Sequence, residues 1–318
     1  MYNHPVTDPS PSSDPRYPVR LVALRTGLSP HVLRAWERRY RVVSPTRTDG
    51  GQRLYSDLDV ERLLRLRRLT EQGHAIGRIA SLPLPELVRL EEETPADTRE
   101  TASADAAEAA TAALEATRRF DDLELQAVLE RSAITLGVPV FVDQVVTPLL
   151  RRIGEGWSQH SVSVAQEHMA SVVIRRVLGW LMRVYEVRNG APRVVVVTPP
   201  HYAHELGALM AAASAAAQGW SVTYLGPDLP VADLVSAVGQ SGARAVAISA
   251  VHQPPQGGDL LGVLRDIRAR LPADVTLLVG GARALEVRAE AEAAGARVVE
   301  SLAEFRGLLL RLAREAAE

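Results

Sequence analysis

The sequence predicts a multidomain chain of the α and α/β classes, with a winged helix-turn-helix head, a four-helix bundle and a Rossmann-like (flavodoxin-like) domain. Three observations predict this fold class. Two short helical segments meet at a glycine inside an arginine-rich stretch near the amino terminus. Helical periodicity then runs without interruption over residues 105–188. From residue 191 onward, short apolar runs alternate with helical segments.

Composition shifts along the chain set the expected domain boundaries. Residues 1–17 combine proline, serine and aspartate with little apolar surface, which predicts a disordered tail. The head is expected over residues 18–86, and an acidic, proline-containing linker over residues 87–104. The bundle is expected over residues 105–188 and the Rossmann-like domain over residues 191–318.

Positive charge is concentrated in the head. The 318-residue chain has a net charge of −2, and all 36 basic residues are arginine. Between Arg16 and Ala80 fourteen arginines stand against six acids, so the head is basic and the rest of the chain is acidic. This asymmetry favours a polyanionic partner for the head.

Cysteine usage and hydropathy restrict the compartment. The chain has no cysteine, which excludes disulfides and thiolate metal sites and favours a reducing cytoplasm. No uninterrupted apolar stretch approaches the ~20 residues of a membrane span, so no membrane partner is expected. The amino terminus lacks the pattern of a signal peptide. We therefore expect a soluble, cytoplasmic protein.

The head begins with two short helices. Residues 19–26 predict the first helix, which Gly27 ends. Ser29 is a favourable N-cap, and Pro30 suits the first position of a second helix that runs to about Tyr40. Two short helices joined at a glycine are typical of a helix-turn-helix, in which the second is the recognition helix.

Basic residues on this second helix and on a following hairpin are candidates for DNA contact. Residues 47–56 predict a hairpin that turns at Asp49-Gly50-Gly51 and forms a wing suited to backbone contact. A helix from Asp57 to about Gly73 follows. From this pattern alone, an arginine-rich helical domain without a ligand stays open. The candidate DNA-binding residues are His31, Arg34, Arg38, Arg39, Tyr40, Arg47, Arg53 and Tyr55.

The residues themselves are more specific than the pattern. Leu-Arg-Ala-Trp-Glu-Arg-Arg-Tyr at residues 33–40, then Pro45, Arg47 and Gly-Gly-Gln-Arg-Leu-Tyr-Ser at residues 50–56, closely resemble the DNA-binding head of the MerR family. The resemblance covers residues 18–84. It implies a dimer on a near-palindromic operator, with recognition-helix arginines in the major groove and the wing arginine and tyrosine on the backbone.

Four helices are expected in the bundle, at residues 105–117, 121–136, 139–157 and 162–185. Asp121 caps the second helix and Pro139 opens the third. The short connections imply an antiparallel arrangement. Trp157 lies in the last turn of the third helix, and Glu167-His168 follow on the fourth. Taken alone, these residues also fit a core tryptophan and a solvated Glu-His pair.

Polar and small residues follow the predicted strands of the last domain. His204 comes in the loop after the first strand, where open α/β sheets bind ligands, and imidazole is the commonest neutral metal ligand. The glycines allow a ligand to approach the backbone, and the serine can donate a hydrogen bond. The first strand has no glycine-rich dinucleotide motif, which argues against a nicotinamide or flavin. The residues at these strand ends are His204, Gly207, Ser249, Val251, Gly280 and Gly281.

The helical cap followed by this α/β domain resembles the cobalamin-binding module of methionine synthase and related proteins. The resemblance implies that His204 ligates cobalt from below and that the nucleotide tail lies near the serine and paired glycines. Trp157-x9-Glu167-His168 also resembles the cap motif of the CarH-type photoreceptors, where it accommodates a 5′-deoxyadenosyl group. The implied cofactor-binding residues are Trp157, Glu167, His168, His204, Gly207, Ser249, Val251, Gly280 and Gly281.

These resemblances imply a transcriptional repressor and not an enzyme. The implied cofactor is adenosylcobalamin, and the implied partners are double-stranded operator DNA and further copies of the chain, as a dimer or tetramer. In the resembling subgroup the cofactor assembles a tetramer on the operator in the dark. Light breaks the cobalt–carbon bond, and the assembly releases the DNA.

Two positions depart from the family pattern. Tyr202 stands where the family has an acid two residues before the ligating histidine, which predicts weaker or altered lower ligation. Ser158 stands directly after the cap tryptophan, where the photoreceptors have the histidine that becomes a new upper ligand of cobalt after illumination. The adduct formed after illumination is then either absent or made by His160 or His168.

Two other functional classes stay open from the sequence. A corrinoid enzyme or methyl carrier would use the same cap and sheet, but it has no use for the basic head. A MerR-type regulator whose bundle and sheet bind another tetrapyrrole, or serve only oligomerisation, is kept open by Tyr202 and Ser158.

Overall fold

The computed structural model describes residues 13–28, 30–48, 51–71, 74, 76–92, 96–185, 191–252 and 258–315. The chain divides into two compact units, residues 1–102 with 134–137 and residues 103–133 with 138–318. The predicted tail falls mostly outside the described residues. Its last residue, Tyr17, belongs to a strand because it pairs with Tyr55.

The two head helices form where the sequence predicts them. Helix α1 spans Val19–Thr26 and helix α2 spans Pro30–Tyr40. Gly27 ends α1 at φ 67°, and its N–H donates to the Ala23 carbonyl. Glycine adopts this left-handed conformation without strain, which explains the sharp end of α1. The predicted cap of α2, Ser29, lies outside the described residues.

A three-stranded antiparallel sheet forms the wing. Its strands are β1 Tyr17–Pro18, β2 Thr46–Arg47 and β3 Arg53–Tyr55, in the order β1-β3-β2. The predicted hairpin is confirmed, since β2 and β3 pair antiparallel. Residues 49 and 50 of its predicted turn are outside the described part of the chain.

Three further helices complete the head: α3 Asp57–Glu71, α4 Ile76–Ile79 and α5 Leu84–Glu92. Arg62 of α3 ties the segments together, because its guanidinium donates to three carbonyl groups outside its own helix. The acceptors are the carbonyl oxygens of Val42 at 2.6 Å, Ala80 at 2.5 Å and Leu82 at 2.7 Å.

The predicted linker is largely helical. Helix α5 continues to Glu92, and helix α6 spans Ala96–Arg118, so it begins nine residues before the predicted start at Asp105. Alanine and glutamate are both good helix formers, so acidic composition alone does not indicate a loop. Residues 93–95 lie outside the described residues.

The bundle contains the four predicted helical segments. After α6 come α7 Asp122–Val140, a π-helical segment Phe141–Val146, α8 Thr147–Ser158 and α9 Val164–Val184. The Asp121 carboxylate accepts the Glu124 N–H at 2.9 Å, which confirms the predicted cap.

The second and third predicted helices follow each other without a loop, and a sharp kink at Gly137 separates them. Gly137 has φ 76° and ψ 157°, which no helical residue adopts, and Pro139 stands two residues later at the start of the next turn. The π-helical segment that follows carries Asp143. Such segments project side chains at angles that a regular helix does not allow, and they recur at functional sites.

The last domain contains β4 Arg193–Val197, α10 Leu206–Ala217, β5 Ser221–Tyr224, α11 Val231–Ser241, β6 Ala245–Ser249, α12 Leu260–Arg270, β7 Thr276–Gly280, α13 Ala282–Glu286, α14 Arg288–Ala293, β8 Arg297–Val299 and α15 Leu302–Glu315. Its five strands form a parallel sheet with the order β5-β4-β6-β7-β8, the flavodoxin-like order that the sequence predicts. Helices α13 and α14 are separate, because Val287 leaves helical geometry at φ −118° and ψ 30°.

Strand side chains alternate between two cores. Val195 and Val197 of β4 pack with α11 to α14 on one face, and Val194 and Val196 pack with α10 and α15 on the other. Because both faces are covered, the sheet offers a ligand only its edges and strand ends.

The helical stretch at residues 122–158 is long and apolar enough to cross a membrane by composition. Half of its most apolar window is buried inside the protein, as expected for a core helix of the bundle.

The Arg62 contacts generate a stability prediction. Arg62→Met leaves three carbonyl groups without their charged donor, so we expect local unfolding of α3 to become easier by about 3 kcal/mol. Hydrogen exchange of α3 amides, followed by mass spectrometry, measures this change. Arg20→Met, which alters an exposed arginine of α1, is the control and should leave the exchange unchanged. Equal exchange in the two variants would contradict the structural role of Arg62.

Candidate functional site

The loop between β4 and α10 is held by a buried threonine. Thr198 directly follows β4 and has no exposed surface, and its hydroxyl donates to the Tyr202 carbonyl. The same hydroxyl accepts the Asp228 N–H at 3.0 Å, and the Asp228 carboxylate accepts the His201 N–H. These bonds fix the backbone of residues 198–202, so His204 projects from an ordered loop.

The His204 imidazole is exposed at the end of this loop. Its ring lies 4.9 Å from the ring of His252, edge to face at 73°. No hydrogen bond engages the His204 side chain within the residues that the structure describes. The imidazole nitrogens are therefore available to a ligand that approaches from above the sheet edge.

Tyr202 is turned away from that position. It is 4% exposed and belongs to the core on the α11–α14 face of the sheet. Burial raises the pKa of its phenol, and the neighbouring Arg283 guanidinium opposes this shift. The phenol therefore does not replace the acid that the family resemblance expects beside His204.

A cavity of about 540 Å³ opens beside the carboxyl ends of β4, β6 and β7. Its volume is within the usual range for a small-molecule site. It contains five of the predicted residues, and the bundle contributes two more. The named lining residues are Gly207, Ser249, Val251, Gly280, Gly281, Asp143 and Thr147.

Three glycines shape this cavity by leaving space where other residues carry a side chain. A Cβ atom on Gly207 would lie 2.6 Å from the Ser249 hydroxyl oxygen, and one on Gly280 would lie 2.9 Å from a Val299 methyl carbon. Gly281 has φ 101°, and a Cβ there would lie 2.4 Å from the Ala250 carbonyl oxygen. Gly281 therefore requires glycine, and a side chain at Gly207 or Gly280 would have to displace Ser249 or Val299.

The residue after His204 connects the bundle to the sheet. Glu205 accepts the Arg175 Nε–H of α9 and the Tyr224 hydroxyl of β5, and its side chain is 12% exposed. Burial, followed by the hydrogen bond and the negative charge of Glu205, raises the pKa of Tyr224, so the phenol stays protonated and donates at neutral pH.

A second ion pair joins the same two layers. Arg306 of α15 is 9% exposed and donates through both terminal nitrogens to Asp143 of the π-helical segment. Paired, parallel hydrogen bonds of this kind fix orientation as well as distance. Because Asp143 lines the cavity, this pair borders the space available to a ligand.

The predicted cap residues are accessible. Trp157 lies at the end of α8 with 57% of its surface exposed, and its side chain makes no hydrogen bond or ring contact within the described residues. On α9, Glu167 and His168 are bonded to each other at 2.6 Å, and Glu167 also accepts the Ser171 hydroxyl. The structure thus pairs Glu167 with His168.

In the head, four of the five predicted DNA-binding arginines are exposed: Arg34, Arg38 and Arg39 of α2 and Arg47 of β2. No carboxylate pairs with Arg34, Arg38 or Arg47 in the described part of the chain. The guanidinium of Arg39 lies 5.6 Å from the Tyr40 ring. Burial raises the pKa of Tyr40, which is half-buried beside α4. The His31 side chain is outside the described part of the structure.

Two wing residues differ from the predicted role in DNA contact. Tyr55 has no exposed surface and is a core residue of the head. Burial and the nearby Glu37 carboxylate raise its pKa to about 12. Arg53 is bound by Glu37 at 3.0 Å, so it holds β3 against α2. The prediction that Tyr55 contacts the backbone is therefore wrong for this conformation, because alternation along β3 turns its ring inward.

Models of three known domains match the chain in the order of its structure. Residues 17–82 match the MerR HTH family regulatory proteins. Residues 101–182 and residues 192–305 match two B12 binding domain families, which correspond to the bundle and the parallel-sheet domain.

Two relatives from Myxococcus xanthus extend along almost the whole chain. The HTH-type transcriptional repressor CarH is 35% identical over 284 residues, which is 87% of this chain and 92% of the relative. The HTH-type transcriptional repressor CarA is 33% identical over 90% of this chain and 94% of its own length. The chain belongs to the MerR-family cobalamin-binding transcriptional repressors. It is a regulator and not an enzyme.

A solved corrinoid protein shares its fold with part of this chain. The monomethylamine corrinoid protein of Methanosarcina barkeri aligns with 63% of this chain and 96% of its own length, at a TM-score of 0.50 and 14% identity. This likeness concerns the fold alone.

The residues present fit cobalamin. The exposed His204 imidazole is a neutral nitrogen ligand of the kind that cobalt accepts. The glycine-lined cavity beside it has room for a nucleotide-sized group, with the Ser249 hydroxyl at its wall.

Sequence reasoning missed five polar residues around this site: Asp143, Arg175, Tyr224, His252 and Arg306. Only His252 had a local signal, since it follows Val251 directly. The other four lie on elements whose proximity depends on how the bundle packs against the sheet.

Gly207 provides a test of the cavity. Gly207→Leu fills the space in front of Ser249, so we expect the Kd for cobalamin to rise by at least about tenfold, or ~1.4 kcal/mol. Absorption titration measures the Kd. Gly239→Leu is the matched control, since it alters a helical glycine with no atom near its added Cβ. Equal affinity in the two variants would place the cofactor elsewhere.

The exposed arginines provide a test of the DNA interface. We expect Arg34→Ala to weaken operator binding by about 1–3 kcal/mol and to relax specificity, as loss of a base contact does. Fluorescence anisotropy with operator and scrambled duplexes measures both effects. Arg119→Ala removes an exposed arginine of the bundle and should change neither; an equal loss there would indicate non-specific attraction only.

Proposed function

We propose that this chain is a light-responsive repressor that binds its operator as a homo-oligomer when adenosylcobalamin is bound. Green light breaks the cobalt–carbon bond of the cofactor, and the oligomer then releases the DNA. The observation that carries the proposal is the exposed His204 imidazole beside the glycine-lined cavity, beneath a helical bundle that ends in an exposed tryptophan. A regulator of this family with these features acts in the cytoplasm.

On the lower side, His204 offers cobalt a nitrogen ligand, and the cavity receives the nucleotide tail of the cofactor. Gly207 and Gly280 leave the required space, and Ser249 is available as a hydrogen-bond donor. Placing the tail here separates its base from cobalt, which leaves the lower position to His204.

On the upper side, the bundle receives the adenosyl group. An indole with more than half its surface exposed offers a flat apolar face for a purine ring. The Glu167 carboxylate can accept hydrogen bonds from ribose hydroxyls, and His168 orients it. Trp157 therefore loses its covering group when light removes the adenosyl moiety.

Assembly connects the cofactor to DNA binding. A head that neutralises phosphates with few arginines binds one half-site weakly, and linking several heads raises the effective concentration at the operator. A cofactor-dependent oligomer therefore turns a modest contact of each head into stable occupancy.

One observation favours a second candidate, a repressor of the same family whose body binds another tetrapyrrole or serves oligomerisation alone. Tyr202 is buried, and no carboxylate contacts the His204 ring in the described residues. In this candidate, replacing His204 leaves assembly unchanged.

Size-exclusion chromatography with absorption detection distinguishes the candidates. With adenosylcobalamin in the dark, we expect a cofactor-bound oligomer, and green light should convert it to a smaller species with a changed spectrum. A free-cofactor spectrum without a change in size would contradict the proposal.

His204→Ala should abolish cofactor-dependent assembly, because the lower ligand is lost. His201→Asn is the matched control, since it alters an exposed histidine of the same loop, and asparagine tolerates its positive φ of 73°. Assembly of both variants like the wild type would favour the second candidate.

A further inference from the structure

Glu205 is the charged residue nearest to the proposed ligand along the chain. It follows His204 directly and occupies the N-cap position of α10. Its carboxylate is almost buried and accepts hydrogen bonds from two partners, Arg175 and Tyr224. A carboxylate at the start of a helix is further stabilised by the helix dipole.

The two partners come from different parts of the fold. Arg175 lies on α9 of the bundle, and Tyr224 ends strand β5 beside β4. One carboxylate therefore joins the bundle, the loop that carries His204 and the sheet. Charge-assisted hydrogen bonds with two fixed partners restrict the peptide on which the imidazole stands.

No other described contact on the loop fixes the direction of the His204 side chain. Tyr202 is packed into the core, and the described contact of the imidazole itself is the edge of the His252 ring. A metal-bound histidine normally needs an outer partner that fixes its direction. In this chain the constraint acts through the backbone, from the next residue.

We propose that Arg175, Glu205 and Tyr224 are positioning residues that set the His204 imidazole for cobalt. The same contacts also fix the position of α9 over the sheet. Because Glu167 lies on α9 two helical turns before Arg175, its position is fixed as well. This inference rests on the proposed ligation of cobalt by His204.

The test compares variants that remove one partner each. Arg175→Met and Tyr224→Phe retain side-chain volume but lose the hydrogen bond to Glu205. Arg176→Met is the matched control, because Arg176 is the next exposed arginine of α9 and donates to Gln126 within the bundle. Glu205→Gln is the conservative variant: its amide oxygen accepts from Arg175, and its NH2 donates to the Tyr224 hydroxyl oxygen, so both contacts remain without the negative charge.

Two readouts separate positioning from a general loss of stability. In holoprotein saturated with cobalamin, the absorption spectrum gives the ratio of histidine-ligated to histidine-free cofactor. We expect Arg175→Met and Tyr224→Phe to lower this ratio by about tenfold, as loss of one charge-assisted hydrogen bond does, while thermal unfolding shifts little. Arg176→Met and Glu205→Gln should keep the wild-type ratio.

In the cofactor-free chain, hydrogen exchange of the loop at residues 198–205 should accelerate in the two disrupting variants and not in Arg176→Met. Wild-type ratios and wild-type exchange in Arg175→Met and Tyr224→Phe would overturn the inference. Failure of the proposed function looks different: the wild-type chain itself would show no histidine-ligated cofactor, while the exchange rates still report whether the three residues hold the loop.

Discussion

The structure depends on the divergence of two loops at the carboxyl edge of one parallel sheet. β4 and β6 are neighbours, but their helices α10 and α12 lie on opposite faces of the sheet, so the chain diverges beyond the two strands and leaves a crevice at their ends. His204 comes from the first loop and His252 from the second, and their rings meet at this point. Gly207, Ser249 and Gly280 line the cavity that opens at these strand ends.

The bundle closes the crevice through two charged contacts. Arg175 reaches Glu205 on one side, and Asp143 receives Arg306 on the other. Both carboxylates are partly withdrawn from water, where hydrogen bonds to charged groups are stronger than at the surface. The cap and the sheet therefore act as one binding unit, which a ligand between them can stabilise and its loss can loosen.

The sequence predicted most of the fold because each element carries its own local signal. The β-branched run before Thr198, the glycine after Thr26 and the carboxylate of Asp121 each determine a boundary without reference to distant residues. The early start of α6 was missed because acidic composition suits both a linker and a solvated helix.

In the candidate site, the strand-end glycines were predictable, since a close approach requires them. The Arg175–Glu205–Tyr224 contacts were not, since they depend on tertiary packing. Tyr55 was wrongly predicted to contact DNA, because a family role was assigned to a residue that strand alternation buries.

The most direct test of the central claim is the electron paramagnetic resonance spectrum of the chain bound to cob(II)alamin, with its histidines labelled with ¹⁵N. The unpaired electron lies along the axial direction and couples to the lower nitrogen. If His204 ligates cobalt, each line of the spectrum splits into two in the ¹⁵N-labelled protein and into three in the unlabelled protein. In His204→Ala the splitting from the histidine nitrogen disappears. Three lines in the labelled protein would show that the cofactor keeps its own base on cobalt, which would contradict ligation by His204 and the placement of the tail in the cavity.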